Sequence, residues 1–98
     1  MRLPVDFLRV ARLELFEAAI WYQKQHTNLG TDFILEIDRC LGLIAEQPEF
    51  FAPVCKDVRR ITAKRFPYSI YFRATAKRIL VIAVFHNRRS PAVWQRRI

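Results

Sequence analysis

Hydrophobic positions change period along this chain, and each change marks an element. Ala11, Leu15, Ala18 and Tyr22 fall at spacings of four, three and four, which predicts a helix from about Val10 to Gln25. Leu13, Phe16 and Ile20 form a second apolar stripe almost opposite the first, so this helix is expected to be covered on two sides, by the fold or by a partner. Before it, Leu3 to Val10 mixes β-branched and aromatic residues with polar ones, and Pro4 suits the start of a short strand. His26 to Gly30 breaks the periodicity, with Asn28 and Gly30 suited to a turn. Phe33, Ile37, Cys40 and Ile44 then repeat at four, three and four, widened by Ile34 and Leu41, and Pro48 ends this second helix. The short turn makes the two helices an antiparallel hairpin, with Glu36, Asp38 and Glu46 directed to water.

Residues 49 to 57 carry no regular pattern and read as a loop from helices to sheet. Three strands are predicted after it, over Val58 to Lys64, Tyr68 to Arg73 and Arg78 to His86. The last is apolar without a break from Ile79 to Phe85, as a mid-sheet strand buried on both faces would be. The tail from Asn87 is basic and closes on Trp94, expected to anchor it to the sheet. The predicted class is α+β: a strand, an antiparallel helical hairpin, then a three-stranded antiparallel meander, forming one sheet with helices on one face. Ninety-eight residues with 52% hydrophobic content suit one domain over residues 1–98. The apolar runs fall short of the roughly 18 to 20 residues of a membrane span, so the chain reads as soluble and cytoplasmic, with no membrane partner. Cys40 and Cys55 have neither metal-ligand nor disulfide-framework spacing and read as reduced thiols. No metal or cofactor is indicated.

Charge adds what periodicity cannot. The chain is +8 overall, but residues 1–55 sum to −3 and residues 56–98 to +11, with Asp57 the one acid in the second half. A field of that kind draws polyanions or an acidic protein partner. It also excludes chemistry that needs paired carboxylates in the basic half. Gly30 and Gly42 are the only glycines, so there is no glycine-rich phosphate loop, and no Ser/His/Asp nucleophile motif is present.

The strings ARLELFEAAIWYQKQ, NLGTDF, IAEQPE, VRR, RFPYSIYF and VFHNRRSPAVW occur in an order and at distances that span nearly the whole chain. In this the chain resembles the RelE/ParE superfamily, toxins of type II toxin–antitoxin systems of the plasmid stabilisation type. The resemblance implies a growth-inhibiting toxin neutralised by a cognate antitoxin whose acidic or extended C-terminal segment wraps the basic surface, as a hetero-oligomer. It implies one of two activities: ParE-like inhibition of DNA gyrase, which is not catalytic, or RelE-like metal-free cleavage of messenger RNA in the ribosome. Fold cannot choose between them. A third reading, from another class, is an inactive or non-toxic basic RNA-binding module.

Metal-free RNA cleavage needs a base, an acid and cations that stabilise the phosphorane. His86 is the candidate acid or base, with Arg88 beside it as a phosphate clamp and Arg60 and Lys64 as further cations; alternatively His86 caps the strand end. Arg59, Arg60, Lys64, Arg65, Tyr68 and Arg89 are candidates for binding antitoxin carboxylates or nucleic acid, and alternation puts Arg60 and Lys64 on one face. RelE-like nucleases commonly carry a catalytic tyrosine or histidine in their last residues. This chain ends Val93-Trp94-Gln95-Arg96-Arg97-Ile98, with Arg96 and Arg97 readable as simply solvated, and that departure tilts the reading toward gyrase.

Overall fold

The computed structural model describes residues 2–98. The chain runs β1 (Val5–Phe7), α1 (Arg9–Gln25), α2 (Leu29–Glu46), a 3-10 turn (Pro48–Phe50), β2 (Pro53–Cys55), β3 (Val58–Thr62), β4 (Tyr68–Ala74), β5 (Ile79–His86) and α3 (Ala92–Gln95). The strands form a five-stranded sheet in the order β1-β5-β4-β3-β2. β1 lies parallel to β5, and the other pairs are antiparallel. The α+β class, the helical hairpin and the meander follow the sequence pattern.

Helix α1 starts at Arg9, immediately after the Leu8 amide bonds to the Val81 carbonyl at 2.9 Å. The parallel strand therefore ends sooner than its composition suggested. Asn28 takes the left-handed conformation (φ 68°) that lets the chain reverse into α2. Gly30 lies so close to α1 that a Cβ there would stand 2.5 Å from the Ala19 carbonyl oxygen and 2.9 Å from the Gln23 Cβ.

One core lies between the hairpin and the sheet. Phe33 is fully buried among Tyr22, Phe66 and Tyr68, with ring centroids 5.2, 5.2 and 5.0 Å away. Ile37, Cys40 and Ile44 continue that face of α2 against Ile70, Phe72, Ile79 and Val81. A second core covers the opposite face of the sheet, where Val58, Tyr71, Ile82, Ala83 and Phe85 meet Trp94 of α3. Trp94 stacks on Tyr71 at 4.3 Å, so the tail is anchored as its tryptophan implied. The tail forms a short helix there, which four residues are too few to announce.

The unbroken apolar run of β5 has a structural cause. Tyr71 pairs with Ala83 and Phe72 with Val81, leaving Ile82 as an extra residue in a bulge, so Ile82 and Ala83 both face the second core.

Three expectations are corrected here and one alternative is narrowed. Residues 49–57 hold the end of the 3-10 turn and the edge strand β2, whose irregular pairing with β3 through Pro53↔Arg59 and Cys55↔Val58 is too short to leave a periodic signal. β3 ends at Thr62, after which Arg65 (φ 69°) turns the chain, so Lys64 does not share a strand face with Arg60. Glu36 is not simply solvated, its side chain being 13% exposed. Of the two covers expected for the stripe Leu13, Phe16 and Ile20, the fold does not supply one, at 50%, 50% and 56% exposure.

β1 pairs with β5 only as far as Val81, so a segment of β5 beyond it lacks a strand neighbour on that side. Glu14 of α1 and Arg97 of the tail occupy the gap. The Val84 amide donates to Glu14 Oε1 at 3.2 Å, and Arg97 Nη1 donates to the Ile82 carbonyl at 3.1 Å. The two side chains are also paired, Nη1 to Oε1 at 2.9 Å and Nη2 to Oε2 at 2.8 Å. Arg97 is therefore not solvated, its side chain being 14% exposed against 11% for Glu14.

Arg97→Ala is expected to lower unfolding free energy by about 2–3 kcal/mol, because it removes the bidentate partner of a largely buried carboxylate and leaves it the longer Arg89 contact. Urea denaturation measures this, and a double-mutant cycle with Glu14→Gln should show strong coupling. Gly30→Ala should cost about 1–3 kcal/mol by forcing the hairpin apart, with a fall in denaturation midpoint as the readout.

Candidate functional site

The residues singled out in the sequence occupy three separate places. Tyr68 and His86 are paired across β4 and β5 on the hairpin side of the sheet, with ring centroids 5.3 Å apart. The Arg88 amide donates to His86 Nδ1 at 3.1 Å, and the Arg89 amide to the His86 carbonyl at 3.0 Å. A ring nitrogen that accepts is unprotonated, so neutral His86 carries its proton on Nε2. Arg89 reaches Glu14 Oε2 at 3.3 Å and lies 3.9 Å from the Phe85 ring centroid. Burial raises the pKa of the Tyr68 phenol, with Arg89 opposing the shift and Glu14 reinforcing it.

Lys64 and Arg65 lie elsewhere, against α2, where they line a cavity of about 520 Å³ with Asp32, Glu36, Arg39 and Phe66. Glu36 organises this corner. It accepts from Arg39 at 2.7 and 2.8 Å and from the Lys64 amide, while Asp32 pairs with Arg65 at 3.5 Å. The Arg39 hydrogen bond, aided by the Lys64 amide and opposed by desolvation, lowers the Glu36 carboxyl to about 2 from an ordinary 4.5. Beneath it, burial and then the Glu36 charge push the Cys40 thiol up to about 11, so it stays protonated and a poor nucleophile.

Arg60 stands apart from both groups. It pairs with Tyr71, whose ring belongs to the core opposite the hairpin, whereas its neighbour Arg59 donates to the Phe51 carbonyl. The structure thus brings His86, Arg88, Arg89 and Tyr68 together and keeps Arg60 and Lys64 away from them.

The cluster at His86 also contains residues that the charge argument passed over. Glu14, Glu17 and Trp21 sit on α1 at spacings of three and four and line a cavity of about 280 Å³ with Tyr68, His86 and Arg89. Their common helical face was legible; its apposition to the end of β5 was not. Among the described residues no group of three or more His, Cys, Asp or Glu is placed to hold a metal ion. No helix there is long and apolar enough to cross a membrane.

A five-stranded mixed sheet with a helical hairpin on one face defines a RelE/ParE-like α+β fold. The chain is 30% identical over 79 residues to Toxin ParE2 of Mycobacterium tuberculosis, in both strain CDC 1551 / Oshkosh and strain H37Rv, covering 80% of this chain and 75% of the relative. A solved chain from a structure described as "Chromosomal ParDE TA system from P. aeruginosa" superposes with a TM-score of 0.75 at 18% identity, covering 87% of this chain and 96% of that one. No family model matches the chain. The chain belongs to the ParE/RelE family of toxins from type II toxin–antitoxin systems.

The Glu36 corner sets an acid limit. A carboxyl held at about 2 when folded and 4.5 when unfolded stabilises the fold above pH 4.5, and that contribution is lost as pH falls from about 4.5 toward about 2. With Arg39 40% exposed and solvent-screened, the contribution is expected to be about 1–2 kcal/mol. Glu36→Gln should flatten this part of the stability–pH curve, measured by denaturation between pH 2 and 6.

Proposed function

We propose that this toxin acts by binding, as an inhibitor of DNA gyrase, and is held inactive by a cognate antitoxin. The observation that supports a binding mode is the dispersal of the groups a metal-free nuclease would need. His86 Nδ1 is engaged by the Arg88 amide, Arg60 belongs to the opposite sheet face, and Lys64 lies against α2. A phosphorane clamp requires its cations and its acid or base within a few ångströms of one phosphate. The similarity to Toxin ParE2 supports the same reading.

The antitoxin is a protein with carboxylates for the basic half. Arg60, Lys64 and Arg88 form no ion pair among the described residues, so they can accept those carboxylates without losing a partner. Arg65 and Arg89 would exchange internal pairs for external ones. RelE-like cleavage in the ribosome is the second reading, favoured by the adjacency of Tyr68 and His86 to Arg88 and Arg89.

The reading is tested with purified chain in two assays. Gyrase supercoiling is expected to fall, with accumulation of cleaved DNA–gyrase complex, while cell-free translation from an intact message continues. His86→Ala should change the supercoiling effect by less than about threefold, far below the 100-fold or greater loss typical for removal of a catalytic acid or base. Cut message with unaffected supercoiling would instead establish the ribosomal activity.

A further inference from the structure

The cleft beside β5 has chemistry that runs against the charge of the molecule. Its first lobe, about 280 Å³, presents Glu14 and Glu17 against the single cation Arg89. Its second lobe, about 430 Å³, is walled by Trp21, Tyr22, Pro67, Tyr68 and His86, and the lobes share Trp21, Tyr68 and His86. On a chain with a formal charge of +8, this lobe offers in Glu17 a carboxylate that no internal ion pair takes up among the described residues, whereas Glu14 is paired with Arg89 and Arg97.

The ring geometry suits a cation. Trp21 meets Tyr22 at 5.2 Å and 81°, Tyr22 meets Tyr68 at 6.1 Å and 66°, and Tyr68 meets His86 at 5.3 Å and 74°. These rings wall one shared cavity, and aromatic surroundings of that kind attract guanidinium and ammonium groups. Charges at the rim reinforce this. Glu14 is held by Arg97 and Arg89, and Arg89 is drawn over Phe85. Glu17 forms no ion pair among the described residues and remains available to an incoming cation. The Arg88 amide donates to His86 Nδ1 and fixes the orientation of the imidazole, which forms one wall of the second lobe.

We propose that this cleft binds an arginine or lysine side chain presented by a protein partner, the cation lying against Trp21 and His86 with Glu17 as counter-charge. A nucleic acid phosphate fits less well, because it would meet the Glu17 carboxylate. The site lies on the hairpin side of the sheet, away from Arg60, and rests on the binding mode proposed above, since a ribosomal nuclease would use Tyr68 and His86 for RNA instead.

Titration of the full chain with N-acetyl-L-argininamide, followed by NMR of the tryptophan indole and histidine ring signals, tests the proposal. Trp21 is 57% exposed and Trp94 only 1%, so the buried indole serves as an internal reference. Saturable shifts are expected at Trp21 and His86, with none at Trp94 and no saturable response to N-acetyl-L-glutaminamide. Glu17→Gln should weaken binding at least about threefold, and Trp21→Leu about fivefold or more. Both positions are exposed, and an unchanged circular dichroism spectrum establishes that each variant folds; if Trp21→Leu does not, Glu17→Gln decides alone. Equal response to the glutamine compound, unchanged affinity in Glu17→Gln, or saturation by uridine monophosphate but not by the arginine compound would overturn the proposal.

Discussion

The pairing of Glu14 with Arg97 joins parts of the fold that nothing in the local sequence connects. β5 is an interior strand between β1 and β4, yet β1 covers its outer edge only as far as Val81. The uncovered backbone would expose strand hydrogen-bonding groups to solvent or to another chain. A carboxylate from α1 and a guanidinium from the tail satisfy the Val84 amide and the Ile82 carbonyl, in place of a missing strand. Because the two groups also neutralise each other, one ion pair closes the sheet, fixes the hairpin over it and holds the tail carrying Trp94 against its other face. The cleft beside His86 takes Glu14 as part of its floor, so its shape rests on the same contact.

That contact changes the meaning of the charge split. An acidic first half and a basic second half look, in sequence, like a cationic surface awaiting an external anion. Four of the six ion pairs among the described residues cross between the halves, Asp32–Arg65, Asp6–Arg78, Glu14–Arg89 and Glu14–Arg97. Part of the imbalance is therefore internal complementarity between the helical layer and the sheet. What remains for partners is narrower: the cations that form no ion pair among the described residues, Arg60, Lys64 and Arg88 with them, and an exposed apolar stripe on α1. A toxin that must bind both a target and an antitoxin can divide such features between different surfaces.

Membership in the ParE/RelE family fixes the scaffold more firmly than the activity, since one architecture serves more than one target. The candidate residues Lys64, Arg65, His86, Arg88 and Arg89 lie at a strand end or in turns, where the backbone path decides whether cations converge. Arg65 in the left-handed region is such a place: it diverts the chain after β3 and carries Lys64 toward Glu36 instead of along the face of Arg60.

The sequence by itself determined what depends on near neighbours. Periodicity located both helices and the three long strands, because an element with one buried face must repeat its apolar residues at its own pitch. The anchoring role of Trp94, the buried thiol of Cys40 and the family were legible for similar reasons, each resting on local pattern or on the order of motifs. Tertiary structure alone decided which distant groups meet. β2 exists because the edge of β3 offers it a partner, and Glu36 leaves water because the turn after β3 delivers the Lys64 amide to it. Glu14 meets Arg97 across 83 residues of chain. Such contacts leave no periodic trace, since an ion pair or a cleft depends on where separate elements cross, and that is set by packing of the whole core.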